Sequence, residues 1–170
     1  MADCNTRLTD IGRGMLVGWA AGCGNDDPLS TATSPLAYKP LGYLETRGES
    51  DSPRTVTSNT EQSGIDTDTR VIGTDTEITV SVLDAKDLVD VTTQQELRAY
   101  YDAEVEAGRD PNVWLRITDP LLGEYRYYFA VPTSLGRNAE NEGNRTGEFT
   151  FTRTATNTPT NKSKQREAIA

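Results

Sequence analysis

The sequence predicts a mainly β protein, an antiparallel β-sandwich or open barrel with one flanking α-helix. Segments in which apolar and polar residues alternate recur along the chain, and clusters of turn-forming residues separate them. Only one segment has its apolar residues at helical spacing. A length of 170 residues, of which 35% are hydrophobic, suits one domain with its own core.

The composition favours a structural or binding protein over an enzyme. The chain has no histidine, which is the commonest general base and metal ligand. A formal net charge of −9 argues against tight binding to DNA or to anionic membranes, and no stretch approaches the roughly 20 apolar residues of a membrane helix. Cys4 and Cys23 form no CxxC motif, and their spacing does not show whether they pair. We therefore expect no catalytic site, no cofactor and no metal.

Two strands are predicted in the first third of the chain. Residues 12–20 place Met15, Val17 and Trp19 on one face of a strand. A loop rich in Asp, Asn, Ser and Pro follows, and residues 41–48 alternate again as a second strand.

A long polar segment then predicts an arm that projects from the domain. It covers about residues 49–73, far more than the roughly 4–6 residues of an ordinary connection. Residues 53–62 contain one strongly apolar residue, Val56, so they fit a hairpin arm better than a dry core. We predict that residues 63–73 form a polar loop.

Part of this loop resembles a calcium-binding loop only superficially. Asp66, Asp68 and Glu77 stand at positions 1, 3 and 12 of such a loop. Position 6 requires glycine for its sharp turn, and Val71 stands there, next to Arg70. The pattern therefore favours a solvated loop over a metal site.

The clearest strand pattern covers residues 74–85. One predicted face carries Thr76, Ile78, Val80 and Val82, and the other Glu77, Thr79 and Ser81. A second clear pattern, at residues 146–155, turns Phe149 and Phe151 inward, with Glu148, Thr150 and Thr152 on the other face. Both segments read as half-buried strands.

The helix is predicted over about residues 92–108. Thr92 or Thr93 can cap its start, and Gly108 and Pro111 can end it. A narrow apolar stripe predicts that it lies on the domain: Leu97, Tyr100, Tyr101 and Val105.

Residues 112–131 predict a hairpin with large aromatic side chains on both faces. Val113, Leu115 and Ile117 share one face with alternate residues of the returning strand. The opposite face carries four residues that we assign to packing under the helix or to a contact between subunits: Trp114, Arg116, Arg126 and Tyr128. The tail, residues 160–170, has no apolar periodicity and is predicted to be flexible.

In this order the elements resemble the major tail tube protein of long-tailed, non-contractile bacteriophages. A running pattern over roughly residues 11–159 carries the resemblance, and the tail-tube domain is placed at residues 1–159. The pattern includes "GRGMLVGWAAGCGNDDPLS", the acidic arm, "TDTEITVSV", "QQELRAYYDAEVEAG", "NVWLRITDP" with "EYRYYFAVP", and "GEFTFTRTATNTP". No single motif in it is as specific as a metal-binding signature.

The resemblance implies a structural virion protein. Copies are expected to join their sheets in hexameric rings, and the rings to stack head to tail into a tube through which phage DNA passes. The implied partners are further copies, the tail tip and tail terminator proteins, and DNA in transit, with no membrane contact. The implied location is the virion tail, assembled in the cytoplasm of the bacterial host.

Two sets of residues acquire expected roles from this assembly. A hydroxyl-rich or acidic channel lining would repel DNA weakly and let it move, and the candidates are Glu77, Thr79, Ser81, Glu148, Thr150 and Thr152. These six residues fit a solvated outer face equally well. The candidates for contact between rings are Ile65, Arg70, Val71 and Ile72 in the arm.

Two other functions remain compatible with the fold. One is a monomeric β-sandwich binding module, such as a capsid decoration or adhesin-like domain, because such scaffolds host many functions. The other is a carbohydrate-active enzyme that uses Asp84 and Asp87 as a carboxylate pair. Those aspartates stand at a strand-to-helix junction, where acidic residues commonly cap helices.

Overall fold

The computed structural model describes residues 16–41, 43–58, 68–83, 89–139, 145–156 and 161–170. Within these residues the chain is mainly β with one helix, as the sequence predicts. The helix α1 spans Val89–Glu106. The strands are β1 (Leu16–Ala21), β2 (Lys39–Pro40), β3 (Tyr43–Ser58), β4 (Asp68–Leu83), β5 (Val113–Asp119), β6 (Glu124–Ala139), β7 (Arg145–Arg153) and β8 (Lys164–Ala168).

The strands form one antiparallel sheet in the order β2-β1-β5-β6-β7-β4-β3, and β8 pairs with β6. Strand β6 has different neighbours along its two halves. Residues 124–130 pair with β5 on one side, and β8 lies on the other side of residues 124–128. Residues 130–139 pair with β7, and a bulge between Pro132 and Ser134 bends the strand. Strand β6 therefore joins two halves of the sheet, one that contains β5 and β8 and one that contains β7. Because β6 belongs to both halves of the sheet, the sheet folds over around one core.

The core lies between the inner faces of these halves. The residues that the sequence predicts to face inward on β4 and β7 are buried: Thr76, Ile78, Val80, Val82, Phe149 and Phe151. The apolar ones pack with Val17 and Trp19 of β1 and with Leu97 of α1. Residues 12–15 of the predicted first strand lie outside the described residues.

A second apolar cluster covers the outer face of the β5–β6 hairpin. Trp114, Tyr127 and Phe129 are buried there, with the rings of Trp114 and Phe129 5.0 Å apart. The loop after β1 lies over them, and the indole Nε1 of Trp114 donates a hydrogen bond of 3.0 Å to the carbonyl of Cys23. The hairpin is therefore aromatic on both faces because it separates two apolar clusters.

The observed register corrects the predicted faces of this hairpin. Tyr128 lies opposite Leu115, and Arg126 opposite Ile117, so both face the core. Trp114 and Arg116 face the second cluster, where the guanidinium of Arg116 stacks over the ring of Tyr38 at 4.7 Å. The predicted packing of Trp114 under the helix is wrong, because the loop after β1 covers it. A loop between Asp119 and Glu124 sets the register, and the alternation of each strand alone does not show it.

Helix α1 begins three residues earlier than predicted and ends before Gly108, whose positive φ of 69° suits a residue that follows a helix. Thr92 and Thr93 therefore lie within the helix rather than at its cap. Leu97 is buried in the core, but Val105 is 50% exposed, so the predicted stripe is shorter than expected. In the described part of the chain, no helix is long and apolar enough to cross a membrane.

The C-terminal segment is ordered, which corrects the predicted flexible tail. Strand β8 pairs with β6, where it occupies an edge that β7 leaves open. The carboxylate of Glu167 accepts hydrogen bonds from the hydroxyls of Ser30, at 2.8 Å, and Tyr127, at 2.6 Å. Burial would raise the pKa of Glu167, but these hydrogen bonds hold it below its usual value. The side-chain amide of Asn161 donates to the carbonyls of Gly24 and Asp26, so the tail is fastened through polar contacts.

A buried polar cluster links β3 to β6 across the core. The guanidinium of Arg126 lies 3.0 Å from a carboxylate oxygen of Glu49 and 3.1 Å from one of Asp119. The hydroxyl of Tyr128 donates to the carboxylate of Glu49, and burial with this hydrogen bond raises the pKa of Tyr128. Lys164 of β8 reaches the carboxylate of Asp51 at 3.1 Å, so four strands, β3, β5, β6 and β8, meet at this cluster.

Replacement of Arg126 by methionine should destabilise the fold strongly. The change leaves the carboxylate of Asp119, only 4% exposed, without its cation, and leaves Glu49, 16% exposed, with Lys164 alone at 3.8 Å. Breaking a buried pair in this way costs about 3–5 kcal/mol, measurable by urea denaturation. Arg54→Met is the matched control, because its ion pair with Asp75 is more than half exposed. Equal stability of the two variants would show that the buried cluster contributes nothing specific.

Candidate functional site

The six residues proposed as a channel lining lie together on one surface. On the paired strands β4 and β7, Glu77 is opposite Thr152, Thr79 is opposite Thr150, and Ser81 is opposite Glu148. All six point away from the core, because their neighbours along each strand are buried. The sequence identified both rows, and the structure shows that they are adjacent.

The same surface continues onto β3 and onto the second half of β6. On β3, Thr46, Gly48 and Ser50 lie opposite Ser81, Thr79 and Glu77. On β6, Ser134 and Gly136 lie opposite Thr150 and Glu148. We call the four-strand surface the hydroxyl face: Thr46, Gly48, Ser50, Glu77, Thr79, Ser81, Ser134, Gly136, Glu148, Thr150 and Thr152. Its only charged members are two glutamates, so the surface is acidic and rich in hydroxyl groups.

Gly48 keeps the hydroxyl face flat. A Cβ added at this position would lie 2.5 Å from Oγ1 of Thr79 on the neighbouring strand, closer than real contacts allow. This contact could not be predicted from the sequence, since it depends on the register between β3 and β4.

The four-stranded part of the sheet ends in two open edges. Strand β3 pairs with β4 on one side, and the other side of β3 is unpaired in the described structure. Along residues 131–139, β6 pairs with β7 on one side, and the described part of β5 does not reach its other side. Both edges can therefore accept another strand.

The arm is a two-stranded ribbon. The pairing of β4 with β7 ends at Glu77. Beyond that point β3 and β4 stay paired with each other, from the pair Asp51–Thr76 to the pair Ser58–Asp68. Eight such residues extend about 25 Å. Residues 68–73, predicted as part of a loop, are thus the first residues of β4. The arm is confirmed as a hairpin within the described residues.

Apolar side chains are exposed along this arm. Val71 is 65% exposed, Ile72 64% and Val56 49%. The register shifts between Arg54 and Thr55 of β3, so Ile72 is the extra residue of a bulge in β4 and has no directly opposed residue. Arg70 is also exposed and lies opposite Val56, whereas Ile65 falls outside the described residues. The structure therefore places three exposed apolar side chains along the arm.

Of the other candidate residues, some are buried in the domain and some lie outside the described residues. Trp114 and Tyr128 are fully buried, so neither is available for a contact between subunits. Asp84 and Asp87, the proposed carboxylate pair, lie outside the described residues. Among the described side chains there is no cluster of three metal-binding groups. Cys23 is exposed, and Cys4 is not among the residues described.

Comparisons with known proteins give matches among solved structures, whereas no family model and no curated protein matches the chain. A chain of a native gene transfer agent (GTA) virion has a TM-score of 0.53 and 15% identity, over 94% of this chain and 98% of that chain. A chain from the tail of an empty GTA particle, determined with C6 symmetry, gives 0.50 and 16% over the same shares. A chain of the anti-feeding prophage (AFP) baseplate, 6-fold symmetrised, gives 0.51 and 9%, over 91% and 93%.

The chain has the fold of these tail and baseplate proteins. The likeness covers nearly the whole of this chain and of each matched chain. It confirms, at the level of the fold, the resemblance that the order of elements predicts.

Replacement of Gly48 by alanine should destabilise the fold by about 0.5–1 kcal/mol, because Oγ1 of the exposed Thr79 must rotate away from the new Cβ. The double variant Gly48→Ala with Thr79→Ala removes the colliding oxygen and should recover most of the loss. Thermal unfolding of the single and double variants measures the coupling between the two positions. If the two losses simply add, the close packing of β3 on β4 at this point is wrong.

Proposed function

We propose that this protein is a tail tube subunit, a structural virion protein that assembles with copies of itself. The observation that carries the proposal is the four-stranded sheet with an exposed hydroxyl face and an open edge on each side. The likeness to chains of virion, tail and baseplate assemblies supports a structural role rather than a catalytic one.

The open edges favour a ring. When the β3 edge of one copy pairs with the β6 edge of the next, both open edges of the four-stranded part are satisfied once the ring closes. A matched tail has C6 symmetry, which favours six copies and hence twenty-four strands in one barrel. A strand spacing of about 4.8 Å and a tilt of about 40° give a backbone diameter of about 48 Å. A barrel of that width has room for a DNA duplex.

The hydroxyl face is the lining that suits such a barrel. Duplex DNA carries a negative charge about every 1.7 Å along its axis, and basic side chains would retain it through counterion release. The two glutamates of the hydroxyl face repel the phosphates weakly, while its hydroxyl groups keep the wall hydrated. The lining therefore permits passage without binding.

The arm provides a contact between stacked rings. Its exposed Val56, Val71 and Ile72 would be buried against the next ring, and head-to-tail contacts of this kind propagate because they do not close. The tube ends would then meet the tail tip and tail terminator proteins. In this proposal the subunits assemble in the bacterial cytoplasm and remain in the virion tail.

The arm contact can be tested with the double variant Val71→Ser and Ile72→Ser. These side chains are about two-thirds exposed, so the fold should keep its stability within about 0.5 kcal/mol. Loss of their burial between rings should weaken stacking at least about tenfold, leaving rings or subunits where the wild type forms tubes. The measurement is electron microscopy and sedimentation of concentrated protein, with and without isolated tail tips.

Val105→Ser on the helix is the control, because it removes a similarly exposed apolar side chain away from the arm. Tubes of normal length from the arm variant would reject the arm contact. A wild-type protein that stays monomeric at every concentration and with tail tips would reject the tube function itself and favour a monomeric binding module.

The position of the hydroxyl face can be tested by thiol labelling. In a background with Cys4 and Cys23 replaced by serine, we expect Glu77→Cys in free subunits to react with both a small maleimide and a bulky polymer-linked maleimide. In tubes, only the small reagent should react, because the bulky one cannot enter the channel. Asp102→Cys, on the exposed side of α1, should react with both reagents in either state. Reaction of the bulky reagent with Glu77→Cys in tubes would place the hydroxyl face outside.

A further inference from the structure

One arginine of the helix contacts an open edge of the sheet. The guanidinium of Arg98 donates through Nη1 to the carbonyl of Leu135 and through Nη2 to the carbonyl of Gly136, the latter at 3.0 Å. Both carbonyls belong to the second half of β6. The same guanidinium lies over the ring of Phe149, with Cζ 4.8 Å from the ring centroid, which fixes its direction.

The alternation of a strand shows that this contact reaches the open edge. Consecutive carbonyls of a β-strand point to opposite sides, so only one of Leu135 and Gly136 can direct its oxygen toward β7. The other directs its oxygen toward the side on which no described strand pairs with residues 131–139. Arg98 therefore occupies an acceptor that an incoming strand would need.

We propose that Arg98 is an edge guard, which protects β6 in the free subunit and is displaced when another copy adds its strand. This inference rests on the proposed tube function and assigns a regulatory contact to the same surface. Hydrogen bonds from a charged donor are about twice as strong as neutral ones, so the guard competes directly with strand pairing. Pairing between copies then becomes favourable only when several strand contacts form together, as in a closing ring.

The guard answers a physical problem of this fold. An exposed strand edge promotes uncontrolled pairing, and proteins commonly place charged side chains there to prevent it. A guard attached to the helix can withdraw without unfolding a strand, because the arginine side chain has several rotatable bonds. Its two acceptors belong to β6, so the guard lies at one end of the sheet and leaves the β3 edge unaffected.

The test is the variant Arg98→Met, which keeps a long apolar stem over Phe149 and removes the donors. The variant subunit should be less stable to urea, since the free state loses its hydrogen bonds. Its critical concentration for assembly should nevertheless fall about tenfold, because those bonds no longer compete with the neighbouring strand. A merely structural arginine would lower subunit stability without favouring assembly, so the two effects distinguish the roles.

Arg98→Lys should give an intermediate critical concentration, because lysine supplies a point charge rather than a two-pronged donor. It also carries the test if the methionine variant does not fold. Arg109→Met is the matched control for charge, since Arg109 is exposed and pairs with Glu104 rather than with β6. Its critical concentration should equal that of the wild type.

Three outcomes overturn the edge guard. The first is a critical concentration that is unchanged or raised in folded Arg98→Met or Arg98→Lys while the wild type forms tubes, which leaves the tube function intact. The second is an equal decrease in Arg109→Met, which would assign the effect to net charge. The third is the absence of rings from the wild type and from all variants, which rejects the tube function together with the guard.

Discussion

The structure depends on one continuous strand that serves two layers. Strand β6 pairs with β5 and β8 along its first half and with β7 along its second half, and the bulge after Pro132 lets it turn between them. Because both layers share this strand, their inner faces are held at a fixed distance and their apolar side chains fill one core. The open edge of residues 131–139 is a consequence, since the described strands that flank the first half of β6 do not extend along the second.

Polar interactions complement this arrangement where apolar burial ends. The cluster of Arg126, Glu49 and Asp119 fastens β3 over the first half of β6, and Glu167 fastens the C-terminal strand to the loop after β1. Buried charges of this kind contribute less to net stability than apolar packing, but they tolerate few alternative arrangements. They therefore help to define which strands meet. The outer hydroxyl face has few such constraints and is open to solvent.

The sequence predicts the local structure of this fold better than its long-range pairing. Alternation of apolar residues correctly predicts the inward faces of β4 and β7, because burial of Ile78 or Phe149 depends only on the face it occupies. Alternation does not identify the partner strand, so the faces of the hairpin around Arg126 and Tyr128 are predicted incorrectly. Strand β8 is missed because its sequence, KQREA, is polar and its pairing is stabilised by hydrogen bonds to distant residues.

The candidate surface shows the same limit. Both rows of polar residues on β4 and β7 are evident from the sequence, whereas their adjacency follows from the register of Thr79 with Thr150. The contact of Arg98 with β6 could not be predicted from the sequence, because an arginine on a helix normally faces water. The arm is predicted as a hairpin from its length and polarity, but the extent of its strand pairing is not, since strands with few apolar residues lack a periodic pattern.

The ribbon form of the arm has a mechanical consequence. A flexible loop tethers two bodies and limits only how far they separate, whereas a hydrogen-bonded ribbon also resists torsion about its own axis. An arm built from paired β3 and β4 residues would therefore transmit an angular orientation from its own domain to the surface it contacts. In a stack of such domains, the stiff ribbon would fix the rotation between neighbouring domains. That rotation would set the helical pitch.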